Sequence, residues 1–175
     1  MRILLIGGSK SGKSRLAQAL CRSLSKTHYY WATMIPADEE DRRRIAAHIA
    51  DRADLGFHTV EQGRQLPAAL PQIAPNSAVL LDSITAYLAN EMFADVFDAD
   101  AADRCAAELL TVSRHPKDFI CVCDDIWRDH GSYDVWTETY RKGLAQICRR
   151  LAEEFDTVAE VTAGIPHLWK GELPR

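Results

Sequence analysis

Short apolar runs alternate with longer amphipathic segments along the chain, and each kind of pattern predicts one kind of element. Runs of a few consecutive apolar residues predict buried strands, whereas apolar residues at helical intervals predict helices. The predicted strands are residues 2–6, 28–33, 57–60, 77–82, 117–124 and 156–163, and the predicted helices are residues 13–24, 38–52, 84–92, 101–114 and 137–154. Strands that alternate with helices are typical of an α/β protein with a mostly parallel sheet and helices on both faces.

The chain has no internal repeat and no low-complexity linker, so its 175 residues are predicted to form a single domain. Two loose segments are expected, at the proline-containing residues 65–76 and at the polar residues 128–134. In parallel sheets, ligands bind at the carboxyl ends of the strands. Asp82 and Asp124, which end two of the predicted strands, are therefore expected at the ligand-binding edge of the sheet.

Composition and charge exclude some classes of function. The net charge is −4, with 47% hydrophobic and 26% charged residues, which is ordinary for a globular protein and gives no basic surplus for binding nucleic acid. The five cysteines lack zinc-site spacing, so we expect buried thiols in a reducing compartment. No apolar stretch is long enough for a signal peptide or a membrane span, and a cytoplasmic protein is expected.

The segment GGSKSGKS follows the first predicted strand and fits the pattern G-x-x-x-x-G-K-[ST]. Its glycines let backbone N–H groups point at phosphate oxygens, and the N-terminus of the next helix adds its dipole. Lys13 is expected to contact the β- and γ-phosphates, and the Ser14 hydroxyl is expected to ligate Mg²⁺. The pattern predicts a fold of the P-loop NTPase type whose nucleotide-binding loop consists of Gly7, Gly8, Ser9, Lys10, Ser11, Gly12, Lys13 and Ser14.

Asp82 is the preferred candidate for the second carboxylate that holds Mg²⁺, because it closes the apolar run VLLD. The alternative is a structural role, in which Asp82 caps the helix that begins near Ile84. Asp124 and Asp125 compete with Asp82 for the metal-binding role, and the sequence ranks them only weakly.

His48 lies on a predicted helix where residues 45, 48, 49 and 52 share one face. A lone histidine on such a face is most often a partly buried core residue. Here Arg44 and Arg52 stand four residues before and after it, and this positive charge favours a neutral, nucleophilic imidazole and attracts polyphosphate. The sequence therefore leaves two hypotheses open, a core histidine and a nucleophile that attacks phosphorus.

The segment ATMIPADEEDRRRIAAH resembles the pattern A-T-x-x-x-x-D-x-E-x-x-x-R-I-x-x-H of the bifunctional adenosylcobinamide kinase / adenosylcobinamide-phosphate guanylyltransferase family of cobalamin biosynthesis. The N-terminal GGSKSGKSRLA, the segment LLDSITAYLANEMF and the ending AGIPHLWKG are similar to family segments as well. The resemblance is strong over about residues 1–93 and thinner after them. The residues that match the first pattern are Ala32, Thr33, Asp38, Glu40, Arg44, Ile45 and His48.

This resemblance implies two activities. The chain would phosphorylate adenosylcobinamide from ATP or GTP with Mg²⁺ and Lys13, and His48 would attack the α-phosphate of GTP and pass GMP to the corrinoid phosphate. It also implies a homotrimer with sites completed near subunit contacts. The further nucleotide-binding residues that it implies are Met34, Ile35, Pro36, Ile49, Ala50, Asp51, Arg52, Glu61 and Asp82.

Two segments depart from the family pattern. The family's NEVG is replaced by DDIW at residues 124–127, and its FRDxxGxxNQ is replaced by YRKGLAQICR at residues 140–149. Both changes fall in the half of the chain where the resemblance is thin. Three functions remain open on this basis: the intact bifunctional enzyme, a P-loop kinase or nucleotidyltransferase with another acceptor, and a non-catalytic nucleotide-binding regulatory protein.

Overall fold

Seven strands form one sheet in the computed structural model, which describes residues 1–174. The strands are β1 (Arg2–Gly7), β2 (His28–Ala32), β3 (His58–Glu61), β4 (Ala78–Asp82), β5 (Asp118–Asp124), β6 (Thr157–Thr162) and β7 (Ile165–Lys170). Their order is β3-β2-β4-β5-β1-β6-β7, and every neighbouring pair is parallel except β6 and β7. The prediction of a mostly parallel sheet is confirmed.

Helices cover both faces of this sheet, as predicted. They are α1 (Lys13–Leu24), α2 (Glu39–Arg52), α3 (Ile84–Met92), α4 (Ala101–Val112) and α5 (Val135–Glu154). Helix α1 packs on one face, and α3, α4 and α5 pack together on the other. Among the described residues, no helix is both long and apolar enough to cross a membrane.

Polar side chains fix where two of these helices begin. The Asp134 carboxylate accepts hydrogen bonds from the backbone N–H groups of Trp136 and Thr137, both at 2.9 Å. Helix α5 therefore begins at Val135, two residues before the predicted start. The hydroxyl of Ser83 caps α3 by accepting from the N–H of Ala86 at 3.2 Å.

The prediction of a loose segment at residues 65–76 is wrong. A short 3₁₀ helix spans Leu66–Gln72, and the side chains of Leu66, Ala69 and Ile73 are buried in the core. The prolines predicted an irregular stretch, but its apolar side chains pack into the hydrophobic core. By contrast, residues 129–134 are exposed and lack regular secondary structure, as expected.

Strand β7 is an addition to the predicted elements. Ala163 and Gly164 have positive φ angles of 51° and 80°, and they form the two-residue turn of a β-hairpin. The sequence did not predict this strand. Because β7 is an edge strand with Ile165, Leu168 and Trp169 all exposed, it lacks the apolar alternation of a half-buried strand.

Helix α2 extends away from the body of the protein. Arg52 is its one buried residue, Asp41 and Ile45 are half-buried, and the other side chains are exposed. The hypothesis that His48 is a core histidine is therefore wrong, because its side chain is exposed.

The register of the sheet brings chemically active residues to one edge. Gly7 is paired with Asp124, and Ala32 lies between Asp82 on one neighbouring strand and Glu61 on the other. The buried Thr33 links β2 to β4, since its hydroxyl donates to the Ser83 carbonyl at 2.8 Å and accepts from the Ser83 N–H at 2.7 Å. This edge is where parallel sheets bind ligands.

Candidate active site

A cleft of about 1040 Å³ opens at this edge between the phosphate loop, the ends of β2 and β4, and helix α2. Most of the residues predicted for the nucleotide site contribute to its lining. These are Ser9, Lys10, Ser11, Gly12, Lys13, Ser14, Met34, Ile35, Pro36, His48, Arg52, Glu61 and Asp82.

Five residues predicted for the nucleotide site lie outside the lining of this cleft: Gly7, Gly8, Ile49, Ala50 and Asp51. Gly7 is buried against β6, where an added Cβ would lie 2.4 Å from the carbonyl oxygen of Val161. Residues 49–51 are exposed. They lie off the cleft because a helix turns about 100° per residue, and His48 and Arg52 occupy the helix face towards the cleft. Their part in nucleotide binding stays a prediction.

The phosphate loop has the curled backbone that its glycines predict. Gly12 precedes α1 with a φ of 96°, and an added Cβ there would lie 2.9 Å from the Cα of Gly164. The Ser11 carbonyl accepts a hydrogen bond from the Gly164 N–H at 2.7 Å, so the β6–β7 turn supports the loop. No side chain among residues 1–174 caps α1, which leaves its first N–H groups to an anion.

Lys13 already has a charged partner. Its Nζ lies 2.8 Å from Oδ1 of Asp124 and donates to the Gly8 carbonyl at 2.8 Å. The lysine side chain is 7% exposed and the aspartate side chain 31% exposed, so solvent screens this ion pair only in part. A bound nucleotide therefore competes with Asp124 for Lys13.

Asp82 is the best placed of the three candidate metal carboxylates. Its Oδ2 accepts a hydrogen bond from the Tyr30 hydroxyl at 2.9 Å. Asp124 instead pairs with Lys13, and Asp125 lies 3.6 Å from Arg128. Asp82 does not cap α3, because Ser83 does, so the structural role considered for it is wrong. Ser14 lines the same cleft, and a hydroxyl with a carboxylate oxygen suits Mg²⁺.

The two arginines that flank His48 differ in their surroundings. Arg44 lies 2.5 Å from Glu40 and 3.9 Å from Asp41, and its side chain is 60% exposed. The guanidinium of Arg52 lies 3.9 Å from the centre of the Tyr30 ring, and the residue is 6% exposed. Carboxylates of its own helix therefore pair with Arg44, and the expected effect of the two arginines on His48 stays a prediction.

Tyr30 is a site residue that the sequence did not predict. Its ring lies under Arg52 and its hydroxyl binds Asp82. Burial and the Asp82 carboxylate raise the pKa of Tyr30 far above its usual range, so the hydroxyl stays a donor. Its position two residues before the end of β2, beside the strand that carries Asp82, was the available signal. The lining also includes Arg44 and Asp124, which the sequence placed near the ligand, and the other unpredicted lining residues are Arg15, Ala32, Glu40, Ile45, Gln62, Gly63, Ser83, Ala86 and Val122.

The segments that depart from the family pattern lie mostly outside the cleft. Trp127 is half-buried against the core, and the carbonyl groups of Ile126, Trp127 and Asp129 accept from the Arg141 guanidinium. Lys142 and Arg149 are exposed, so their charge changes fall on the surface of α5. Asp124 is the departing residue that reaches the cleft.

The five cysteines have no part in this site. All five are free and buried, as predicted. Burial raises the pKa of Cys21 and of Cys105 to about 12, and it raises those of Cys121 and Cys123 well above their usual value.

A phosphate loop at the end of the first strand of a parallel sheet, together with a carboxylate on another strand, defines the class of P-loop nucleotide-binding proteins. Solved structures support this fold. The flagellar accessory protein FlaH from Methanocaldococcus jannaschii has a TM-score of 0.51 at 15% identity, covering 98% of this chain and 78% of its own. The ATPase EscN of the enteropathogenic E. coli type III secretion system has a TM-score of 0.54 at 14% identity, covering 93% of this chain and 43% of its own.

The comparisons with protein families and curated proteins are more specific. The family model described as cobinamide kinase / cobinamide phosphate guanyltransferase matches residues 3–168. The bifunctional adenosylcobalamin biosynthesis protein CobP of Pseudomonas aeruginosa is 31% identical, covering 98% of this chain and 99% of its own. CobU of Salmonella typhimurium is 28% identical, covering 94% and 97%. The chain belongs to the cobinamide kinase / cobinamide phosphate guanyltransferase family, and it is an enzyme of cobalamin biosynthesis.

Proposed function

We propose that the chain catalyses both reactions of its family in one cleft, using the phosphate loop for both and His48 as the nucleophile of the second. One observation carries this proposal: His48 is exposed on α2 and lines the cleft that Gly12, Lys13 and Ser14 also line. A triphosphate held by the loop would therefore lie in the same cleft as the His48 imidazole.

In the first half of guanylyl transfer, a neutral ring nitrogen of His48 attacks the α-phosphorus of GTP. The N–P bond forms while the bond from this phosphorus to the bridging oxygen breaks, and pyrophosphate leaves. The loop N–H groups and Lys13 hold the β- and γ-phosphates, so they stabilise the charge that develops on the leaving group.

In the second half, an oxygen of the corrinoid phosphate attacks the same phosphorus and the N–P bond breaks, which returns His48 to its starting state. In-line displacement requires the new nucleophile to approach opposite His48, from the side where pyrophosphate left. The phosphate loop is therefore expected to receive the acceptor's phosphate in this step.

In the kinase reaction, the hydroxyl oxygen of adenosylcobinamide attacks the γ-phosphorus of ATP or GTP. The bond from this phosphorus to the β–γ bridging oxygen breaks, the nucleoside diphosphate leaves, and the hydroxyl proton is released to water. Lys13 contacts the phosphates in this step. The acceptor hydroxyl and the acceptor phosphate thus use the same end of the cleft, and the first product is already near its position for the second reaction.

Mg²⁺ is the implied cofactor of both reactions, and Ser14 and Asp82 are the residues that would hold it. It would neutralise charge on the phosphate oxygens. Hard oxygen donors suit this ion, and Asp82 lies in the cleft wall with a hydrogen-bonding tyrosine rather than a cation as its partner.

A homotrimer is part of the proposal. The family resemblance alone carries it. Sedimentation equilibrium tests the trimer, and a monomer at micromolar concentration with full activity would contradict it.

Covalent labelling tests the nucleophile. GTP labelled on its α-phosphate should leave an acid-labile, alkali-stable label on the native chain, and none on His48→Asn. The variant should still bind GTP, because it keeps the phosphate loop. A native chain that binds GTP without becoming labelled would limit the enzyme to its kinase reaction.

A further inference from the structure

Four aromatic rings form a continuous surface where α3 ends and α5 begins. This aromatic shelf consists of Phe93, Phe97, Trp136 and Tyr140. Neighbouring ring centres lie 5.5–5.7 Å apart, and the rings of Phe97 and Trp136 are stacked. Phe93 is 44% exposed and Trp136 58% exposed, whereas Phe97 and Tyr140 are half-buried and pack against the core. The shelf therefore has a fixed base and two rings that face solvent.

The aromatic shelf is continuous with the cleft. Ala86 of α3 lines the cleft, and Phe93 lies two helical turns further along the same helix face, about 10 Å away. The Thr85 hydroxyl accepts a hydrogen bond from the N–H of Asp124 at 2.9 Å, and the Thr85 carbonyl accepts from the Tyr140 hydroxyl at 2.7 Å. Asp124 also lines the cleft. A ligand that extends out of the cleft along α3 therefore meets the shelf.

The acceptor of the family reaction, adenosylcobinamide, reacts at the end of a flexible arm, away from its macrocycle. The arm between the corrin ring and the hydroxyl is about 9 Å long when extended. Among the described residues that line the cleft, Tyr30 is the only aromatic one, and Arg52 covers its ring. The macrocycle therefore needs a surface beyond the cleft, at a distance that matches the two turns of α3 between Ala86 and Phe93.

The charge around the aromatic shelf favours a corrinoid over a nucleotide as its ligand. Residues 93–100 include Asp95, Asp98 and Asp100 and no lysine or arginine. Arg104 pairs with Asp98, whereas Asp95 and Asp100 are exposed. The cobalt(III) corrin of adenosylcobinamide is a flat ring system with one net positive charge, so it suits aromatic faces beside carboxylates. The same carboxylates repel the phosphate groups of a nucleotide.

We propose that the aromatic shelf binds the macrocycle of the corrinoid acceptor, and that Phe93 and Trp136 contact the ring. The arm then follows α3 into the cleft and presents its hydroxyl, and later its phosphate, to the phosphate loop. Because both acceptors carry the same macrocycle, one shelf serves both reactions. This inference rests on the proposed function, in which the corrinoid is the acceptor of each reaction.

Kinase kinetics with adenosylcobinamide test the shelf. Trp136→Ala should raise the KM for adenosylcobinamide about tenfold and leave kcat within about twofold, because ring contacts are equal in the ground state and the transition state. The KM for ATP should not change. Trp169→Ala is the matched control, because Trp169 is 64% exposed on the edge strand β7, outside the cleft lining. Equal KM values for adenosylcobinamide in the two variants would overturn the inference and leave the proposed function intact.

An acceptor without the macrocycle separates ring binding from other effects. N-acetylated aminopropanol keeps the end of the arm and its hydroxyl. The native enzyme should phosphorylate it with a much lower kcat/KM than adenosylcobinamide, and Trp136→Ala should phosphorylate it as fast as the native enzyme does. An equal loss with both acceptors would place the effect at the reaction centre and refute the shelf. Trp136→Phe keeps a ring and should restore most of the affinity for adenosylcobinamide, and a variant as weak as Trp136→Ala would contradict stacking.

Calorimetric titration with adenosylcobinamide measures its binding without turnover. Trp136→Ala should weaken this binding about tenfold. If binding depends on Trp136 but the native chain transfers no phosphate, the shelf stands and the proposed function is wrong. If Trp136→Ala changes the sedimentation of the protein and keeps native affinity, the shelf is an interface between copies of this chain and the inference is wrong.

Thermal unfolding identifies a Trp136→Ala variant that fails to fold. Asp95→Lys then replaces it, because this substitution reverses an exposed charge beside the shelf and removes no ring. It should weaken adenosylcobinamide binding and leave the KM for ATP unchanged. Native affinity for adenosylcobinamide in Asp95→Lys would contradict the charge argument and, with it, the choice of ligand.

Discussion

Asp124→Asn should tighten nucleotide binding, although it removes an ion pair. Asp124 holds Lys13 at 2.8 Å in the structure and competes with a bound phosphate for the lysine. The substitution keeps the shape of the side chain and removes its charge, and it restores the asparagine of the family pattern NEVG. Lys13 is then free to bind the β- and γ-phosphates without first losing a partner.

The magnitude follows from the type and exposure of this contact. A hydrogen bond between charged groups contributes about 1.5–3 kcal/mol, and exposure of 31% at Asp124 places it near the lower end. Asparagine can still accept a neutral hydrogen bond, so we expect a difference of about 1.4 kcal/mol, or about tenfold in affinity. The free energy of unfolding of the nucleotide-free protein should fall by the same amount, which lowers Tm by about 4 °C for a chain of this size.

Two measurements on one sample check this reasoning. Calorimetric titration with GTP in EDTA gives the affinity without metal, and thermal unfolding of the free protein gives its stability. Asp125→Asn is the matched control, because this neighbouring carboxylate faces Arg128 and not Lys13. If Asp124→Asn lowers Tm while nucleotide affinity is unchanged or weaker, Asp124 does not compete with phosphate for the lysine.

Three further predictions concern the loop, the thiols and the pH dependence of stability. Gly12→Ala should destabilise the protein by at least about 1–2 kcal/mol and abolish GTP binding, because φ is 96° and the new Cβ meets Gly164; unfolding in urea and nucleotide titration check it. The five buried cysteines should react with a thiol reagent only after denaturation, and fast reaction in the native state would contradict their burial. Arg128 lowers the pKa of Glu160, so this pair stabilises the fold at neutral pH and the stabilisation is lost as the pH falls through the folded-state pKa; Glu160→Gln should flatten the acid limb of the stability–pH curve.

The sequence predicted most of the sheet because its central strands are buried on both faces. Segments such as Ala78–Asp82 are continuous apolar runs that end in a polar residue, and runs this short are typical of buried parallel strands rather than of helices. Strand β7 lies at the edge and carries exposed apolar side chains, so its pattern did not distinguish it from a loop. The packing of residues 65–76 was missed for the opposite reason, since prolines outweighed the apolar residues between them.

The sequence predicted those parts of the candidate site whose chemistry is carried by a short local motif or by a residue at a strand end. The phosphate loop and Asp82 follow from a local motif and from a strand end. The contact of Tyr30 with Arg52 and the pairing of Asp124 with Lys13 join residues far apart in the chain. Such contacts depend on strand order and on the angle at which α2 leaves the sheet, and no local pattern records either. For the same reason, the sequence could not distinguish Arg52, which contacts the Tyr30 ring, from Arg44, which pairs with carboxylates of its own helix.

The position of β1 in the sheet has a consequence for the order in which the protein forms. Both neighbours of β1, namely β5 and β6, come from the C-terminal part of the chain, and the turn at Gly164 supports the phosphate loop. A chain emerging from the ribosome therefore exposes its first strand and its loop long before their partners are made. Nascent chains that end before Asp156 should not bind nucleotide, so the phosphate loop is synthesised before the rest of the sheet but becomes functional only after β6 has formed.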